Sequence, residues 1–199
     1  MIKNKIKKRL RHTRYIFYQE TLVDFKDHFW SFLGAFLGIG FIAFLQSHHF
    51  SEIENIFLIG SFGASSVLIY GAVNSPLAQP RNLIGGHVFS ALIGVTAYKL
   101  LPDILWLNAS VAVATSIVVM QITKTMHPPG GATALIAVVG SEKIKALGYL
   151  YVLSPVLSGA MILLAFALIF NNIPKGRKYP HRVKETKYVH MRRMLKKKS

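Results

Sequence analysis

Residues 125–136 read "TMHPPGGATALI" and lie between two apolar runs, where a helix crossing a membrane would be most regular. Two prolines followed by two glycines cannot continue a helix arriving from residue 122, because proline lacks an N–H and its ring clashes with the preceding turn. They can start one. Proline suits the first helical turn, where its missing N–H would have no partner anyway. The stretch therefore predicts an extended lead-in through His127 and a new helix from near Pro129 to Gly140. That helix covers about 18 Å at 1.5 Å per residue, too little for a bilayer core of roughly 30 Å. The extended residues before it cover roughly another 18 Å, which sets the helix start near the midplane.

Around this break the chain reads as membrane-spanning. It has 199 residues, 52% of them hydrophobic and only 16% charged. Four apolar stretches approach the roughly 20 residues a span requires: 29–46, 83–101, 104–122 and 147–170. A fifth, 56–73 ("IFLIGSFGASSVLIYGAV"), has the length but is interrupted by Gly60, Ser61 and Gly63. Nineteen of the 24 Lys and Arg residues lie in 1–28 and 171–199. A pI near 10 often signals nucleic-acid binding, but that needs cations gathered on a folded face. Basic tails flanking apolar spans instead mark the cytoplasmic side. Three parts follow: a basic cytoplasmic tail (1–28), a transmembrane domain (29–170) and a second basic cytoplasmic tail (171–199). The first tail, "IKNKIKKRLRHTRYIFYQ", has no short apolar region with a cleavage site, so it reads as a tail and not a signal peptide. It could equally lie on an anionic membrane surface as an amphipathic helix.

An internal repeat accounts for the two broken segments. At a shift of 68, "GASSVLI" (63–69) falls on "GATALIA" (131–137), Ser90 on Ser158 and Ala97 on Ala165. At a shift of 76, "DHFW" (27–30) falls on "DILW" (103–106). Each half is then a span, a broken segment and a span. Three crossings per half would insert the second half upside down, the inverted-repeat plan of many transporters. Both tails would be inside, with 21 basic against four acidic residues on that side and three against four outside. The fold class expected is an all-α transmembrane bundle of two inverted repeats. The alternative is four spans plus two re-entrant segments, which also leaves both tails inside.

Irregular backbone at membrane depth is tolerated only against protein or a wet cavity. Helix starts at the midplane carry free N–H groups and roughly half a positive charge each, so two of them offset about one negative charge. That favours a small monovalent anion. The apolar segments hold no carboxylate of the kind proton and sodium paths commonly use. The candidate binding residues are Ser61, Phe62, Gly63, Ala64, Ser65 and Ser66 in the first half, where Ser61 could act as an N-cap. Those of the second half are His127, Pro128, Pro129, Gly130, Gly131, Ala132 and Thr133. Arg81, His87 and Lys124 are candidates for gating or for drawing anions to the pore mouth. Gly34, Gly38, Gly86, Ser90 and Gly94 read as helix-packing positions.

The segments "MHPPGGATALIAVVG" and "FGASSVLIYGAVNSPLAQPRNLIGGHVFSALIGV" resemble the signature segments of the HPP family of integral membrane proteins, over roughly residues 25–172. Its motif residues fall here on His127–Thr133 and on Ser75–His87. The family is usually described with four spans, and members from plants and cyanobacteria are associated with nitrite transport. The resemblance thus implies a nitrite-type anion permease, and the location expected for the chain is the cytoplasmic (inner) membrane.

No cofactor is implied. Cysteine is absent, which excludes disulfides and thiol chemistry, and the metalloprotease, nucleophile-elbow and phosphate-loop motifs are missing, so no enzyme is expected. His48 and His49 near Glu52 and Glu54 make only a weak metal candidate. The partners expected are the lipid bilayer and a small inorganic anion, with no nucleic acid. Small residues on several helix faces leave room for a homo-oligomer. The rival to a permease is a non-transporting scaffold or regulatory subunit, in which the broken segments would be packed dry.

Overall fold

The helix arriving at the motif stops at Thr123. In the computed structural model, which describes residues 25–49 and 60–181, Lys124 turns into the left-handed region (φ 57°, ψ 39°) and its N–H closes on the carbonyls of Met120 and Gln121. His127 is extended (φ −141°, ψ 102°), and Pro128 and Pro129 open the next helix. This is the expected break, one residue earlier than the sequence reading had it.

In chain order the helices are α1 (Phe25–His49), α2 (Gly60–Ser66), α3 (Pro80–Leu100), α4 (Leu105–Thr123), α5 (Pro128–Val139), α6 (Glu142–Ala146) and α7 (Ser158–Phe170). A π-helical turn, Val67–Gly71, prolongs α2, while the segment Val152–Leu157 leading into α7 is kinked at Ser154, whose backbone is extended (φ −141°, ψ 121°). A short 3-10 turn, Pro76–Ala78, precedes α3, which opens on Pro80. The described residues are all-α, with no strand. Four helical stretches are long and apolar enough to cross a membrane: Asp27–Leu45, Pro80–Leu100, Leu105–Thr123 and Val152–Phe170. The last starts later than the expected residue 147, because residues 147–149 form turns with Gly148 at φ +52°. The N-terminal tail to residue 24, residues 182–199, and the side chains of His48, His49, Glu52 and Glu54 lie outside the described residues.

α3 is the hub. It packs against α5, α4 and the Val152–Leu157 turn, while α4 also packs on α5. α1 packs on α7 and on the Val67–Gly71 turn, and α2 lies against α5. Lipid tails are as apolar as leucine, so close contact and hydrogen bonds, more than burial, must hold such helices together. The sequence supplies small residues where that contact occurs. A Cβ at Gly34 of α1 would lie 2.6 Å from the Tyr70 ring, whose hydroxyl donates to the Leu163 carbonyl at 3.2 Å. A Cβ at Gly130 would lie 2.7 Å from the Gly86 carbonyl oxygen. Gly94 meets Ala134 and Ala137 further along, and Ala97 packs with Ala134 and Val138. α5 therefore runs beside α3 in the same direction, starting two turns in and finishing level with its end.

One end of the bundle gathers the starts of α1 and α3, the ends of α4 and α7, and the 72–79 loop. Arg81 Nη2 donates to the Thr123 carbonyl (2.6 Å) and Asn82 Nδ2 to that of Met126 (2.7 Å). After α7 the chain folds back over this end. Arg177 donates to the Asp27 carboxylate (2.7 Å), the Asp27 carbonyl (2.6 Å) and Ser31 Oγ (3.0 Å). Buried Tyr179 donates from its hydroxyl to the Ala78 carbonyl at 2.7 Å, and the His181 N–H donates to Gln79 Oε1. Burial pushes the Tyr179 hydroxyl well above its ordinary pKa, so it remains a donor throughout the neutral range.

Candidate functional site

Five polar side chains meet where α2, α3 and the start of α5 converge: Ser61, Ser65, His87, His127 and Thr133. None has any exposed surface. The periodicity of α2 brings Ser61 and Ser65 to one face, four residues apart, while Gly63 and Ala64 turn outward and are exposed. The extended backbone at His127 swings its ring inward, and the absence of a side chain at Gly86 leaves room for it, since a Cβ there would collide with His127 Cβ. The His87 and His127 ring centres are 5.0 Å apart, and Phe62 stands edge-on to His87 at 5.5 Å.

Ser65 Oγ links the rings, 2.7 Å from His87 Nε2 and 2.9 Å from His127 Nε2. On their far sides, His127 Nδ1 lies 2.8 Å from the Leu77 carbonyl and His87 Nδ1 lies 2.7 Å from Thr133 Oγ1. The Thr133 and Ser61 hydroxyls are 2.9 Å apart. Counting donors and acceptors fixes the protons when both rings are neutral. The Leu77 carbonyl accepts only, so His127 carries its proton on Nδ1, and its bare Nε2 accepts from Ser65. Ser65 has one proton, now used, so His87 must donate from Nε2. Its bare Nδ1 faces the Thr133 hydroxyl, which also has Ser61 Oγ at 2.9 Å and the Pro129 carbonyl at 3.3 Å as acceptors. From His87 onward the donors point one way, through Ser65 to His127 and the Leu77 carbonyl of the 72–79 loop.

Other expected site residues fall elsewhere. Gly131 and Ala132 face an apolar cleft of about 540 Å³ between α4 and α5, lined also by Ile117, Met120 and Leu135. Pro128 is exposed, while Pro129 and Gly130 are buried. Ser66 is buried beside the cluster, and among the described residues its hydroxyl has no hydrogen-bond partner; nor has that of Ser90, one turn beyond His87. Ser61 lies within α2 and turns its hydroxyl to Thr133 across the helix pair. Arg81 and Lys124 are both exposed, at the end where α4 stops, and Arg81 bonds the Thr123 carbonyl. His87, expected near the mouth, stands instead at the centre.

The backbone donors expected at the start of α5 are not offered. Pro128 and Pro129 have no N–H, and the Gly130 N–H donates to the His127 carbonyl at 2.8 Å. What converges here is side-chain chemistry. Two participants carried no recognisable signal in the sequence: the Leu77 carbonyl and Tyr151, whose hydroxyl donates to the Thr133 carbonyl at 3.2 Å.

Residues 20–180 match the family profile described as "HPP, transmembrane region". Two curated relatives from Dictyostelium discoideum, each named only as a transmembrane protein, are 47% and 43% identical over 163 residues. Each alignment covers 79% of this chain, but only 51% and 56% of the relatives, so the chain spans about half their length. No solved structure matches. The break at His127–Gly131, the four apolar spans and the profile match together assign this chain to the HPP family of transmembrane proteins.

Proposed function

We propose that the protein is a permease for a small monovalent anion, nitrite foremost, and that the substrate passes through the histidine–hydroxyl cluster, which is closed in this conformation. One observation carries the reading: two histidines and three hydroxyls, all fully buried, sit at the meeting of the two interrupted segments. Polar side chains at membrane depth are costly and usually mark a path for ions or substrates. Among the described residues no carboxylate approaches the rings: Asp27 pairs with Arg177, Glu142 with Lys145, and Asp103 is exposed. Such a site suits an anion and repels no anion entering it.

The packing also supports the inverted-repeat plan with six crossings. Exchanging α1 with α4, α2 with α5 and α3 with α7 turns each helix pairing into another that is present: α1 on α7 answers α4 on α3, and α2 on α7 answers α5 on α3. The 72–79 loop lies at the same end as the starts of α1 and the close of α7, as six crossings require. On this plan both termini are cytoplasmic and the protein resides in the cytoplasmic membrane, acting by transport and not as an enzyme.

A second reading has one specific observation in its favour. The polar cluster is packed dry, and the cleft nearby is apolar, as expected of a scaffold whose histidines only tie α2, α3 and α5 together. Anion flux into proteoliposomes separates the two. Saturable uptake of nitrite over nitrate, formate, chloride and sulfate, falling in folded His87→Ala and His127→Ala variants, is the result expected. Purified, folded protein that moves none of these anions beyond empty vesicles refutes the permease.

A further inference from the structure

Resting on the anion reading, we infer that the cluster is also a proton relay, so that a proton crosses with each anion. The chain Ser61, Thr133, His87, Ser65, His127, Leu77 carbonyl is continuous, with no link longer than 2.9 Å. Continuity alone describes any well-satisfied buried network. The distinguishing feature is that both hydroxyls flanking His87 have a second acceptor within reach. Ser65 Oγ lies 3.0 Å from the Ser61 carbonyl, and Thr133 Oγ1 lies 3.3 Å from the Pro129 carbonyl.

Those spare acceptors allow either ring to take an extra proton without breaking the chain. If His87 Nδ1 gains a proton it becomes a donor, and Thr133 accepts from it while turning its own hydroxyl to Ser61 Oγ or the Pro129 carbonyl. If His127 Nε2 gains the proton, Ser65 accepts from both rings and turns its hydroxyl to the Ser61 carbonyl. Passage from one ring to the other moves one proton from His87 Nε2 to Ser65 Oγ as Ser65 passes its own to His127 Nε2. His87 is left neutral, with its proton on Nδ1. His127 then releases its Nδ1 proton beside the 72–79 loop, so one proton has entered at His87 Nδ1 and one has left. Each ring is neutral on its other nitrogen and regains its starting tautomer by exchanging a proton with water when the site opens to admit the anion. Nothing is oxidised or reduced, and within the closed cluster only hydroxyls rotate.

The surroundings say why an anion must come too. The groups facing the rings are Ser61, Phe62 and Ser65 of α2, Thr133 of α5 and, through the Thr133 carbonyl, Tyr151. None carries a negative charge, and every described Lys and Arg lies outside the cluster. An imidazolium there would be an uncompensated buried charge, which is prohibitively costly. A co-bound monovalent anion removes that cost, and the proton in turn neutralises the anion.

The test uses full-length protein in vesicles containing a pH-sensitive dye, with nitrite uptake and lumen acidification recorded together and corrected against empty vesicles for neutral nitrous acid crossing the lipid. Acidification that follows anion uptake, slows in heavy water, and falls by about tenfold or more in Ser65→Ala is the outcome expected. Ser65→Thr, which keeps the hydroxyl, should restore part of it. If Ser65→Ala fails to fold, Thr133→Val breaks the relay at its other hydroxyl and should have the same effect. Anion uptake with no proton movement overturns the relay and leaves the permease standing. Proton movement without anion uptake supports the relay and overturns the anion assignment, and neither flux from folded protein overturns both.

Discussion

At the scale of single residues, neighbouring glycines of the motif do different things. Gly130 is pressed against α3: a methyl group there would meet the Gly86 carbonyl at 2.7 Å and Ser90 Oγ at 2.8 Å. Gly131 opens onto the α4–α5 cleft, where the nearest atom to an added Cβ is Val113 Cγ1 at 3.9 Å. Gly130→Ala should therefore destabilise the folded protein by roughly 1–3 kcal/mol through overpacking, and Gly131→Ala should be neutral or slightly stabilising, since alanine is the better helix former. Thermal unfolding of the two variants in detergent tests this; equal shifts would mean that α5 does not pack on α3 through Gly130. His127 and the hydroxyls at 61, 65 and 133 were legible as candidates, because histidine and serine beside a backbone break are unusual in apolar sequence. Their pairing with His87, from 22 residues away at Ser65 to 46 at Thr133, was not legible.

At the scale of elements, the segment after α7 is a clasp. Its first residues begin what the sequence presents as a basic tail, yet Tyr179 is buried and Arg177 reaches three oxygens on α1. Partly buried charge-assisted hydrogen bonds of this kind are worth more than fully exposed ion pairs. Arg177→Gln should cost about 2 kcal/mol, and Tyr179→Phe about 1 kcal/mol for its bond to the Ala78 carbonyl. Both should speed proteolytic cleavage within 171–181, and a double-mutant cycle of Arg177→Gln with Asp27→Asn should be markedly non-additive. Additive effects would mean the pair does not couple in solution. The clasp holds the same loop whose Leu77 carbonyl receives His127, so it braces the cluster from outside. Nothing in the local pattern of "NNIPKGRKYPH" marks it, because its partners are side chains and backbone carbonyls far away in the sequence.

For the whole molecule, the test is the side on which each loop lies. Six crossings put Asn74 on the side of the tails and Asp103 opposite, and four crossings with re-entrant segments reverse both. Single cysteines at these two exposed positions, in a chain that has none of its own, should label from opposite sides, Asn74 from the cytoplasmic side. Labelling of Asn74 from outside would sink the six-crossing plan. The sequence by itself determined the apolar spans, the helix break at His127–Pro129 and the charge-bearing ends, because hydropathy, proline geometry and charge placement act over a few neighbouring residues. Only the tertiary structure decided that the Gly130 N–H is already bonded, that His87 meets His127 at the centre, and that Arg177 and Tyr179 lock the end of the bundle where α1 begins. Each of these depends on which surfaces of distant helices come close enough to touch, and that is set by packing across the bundle.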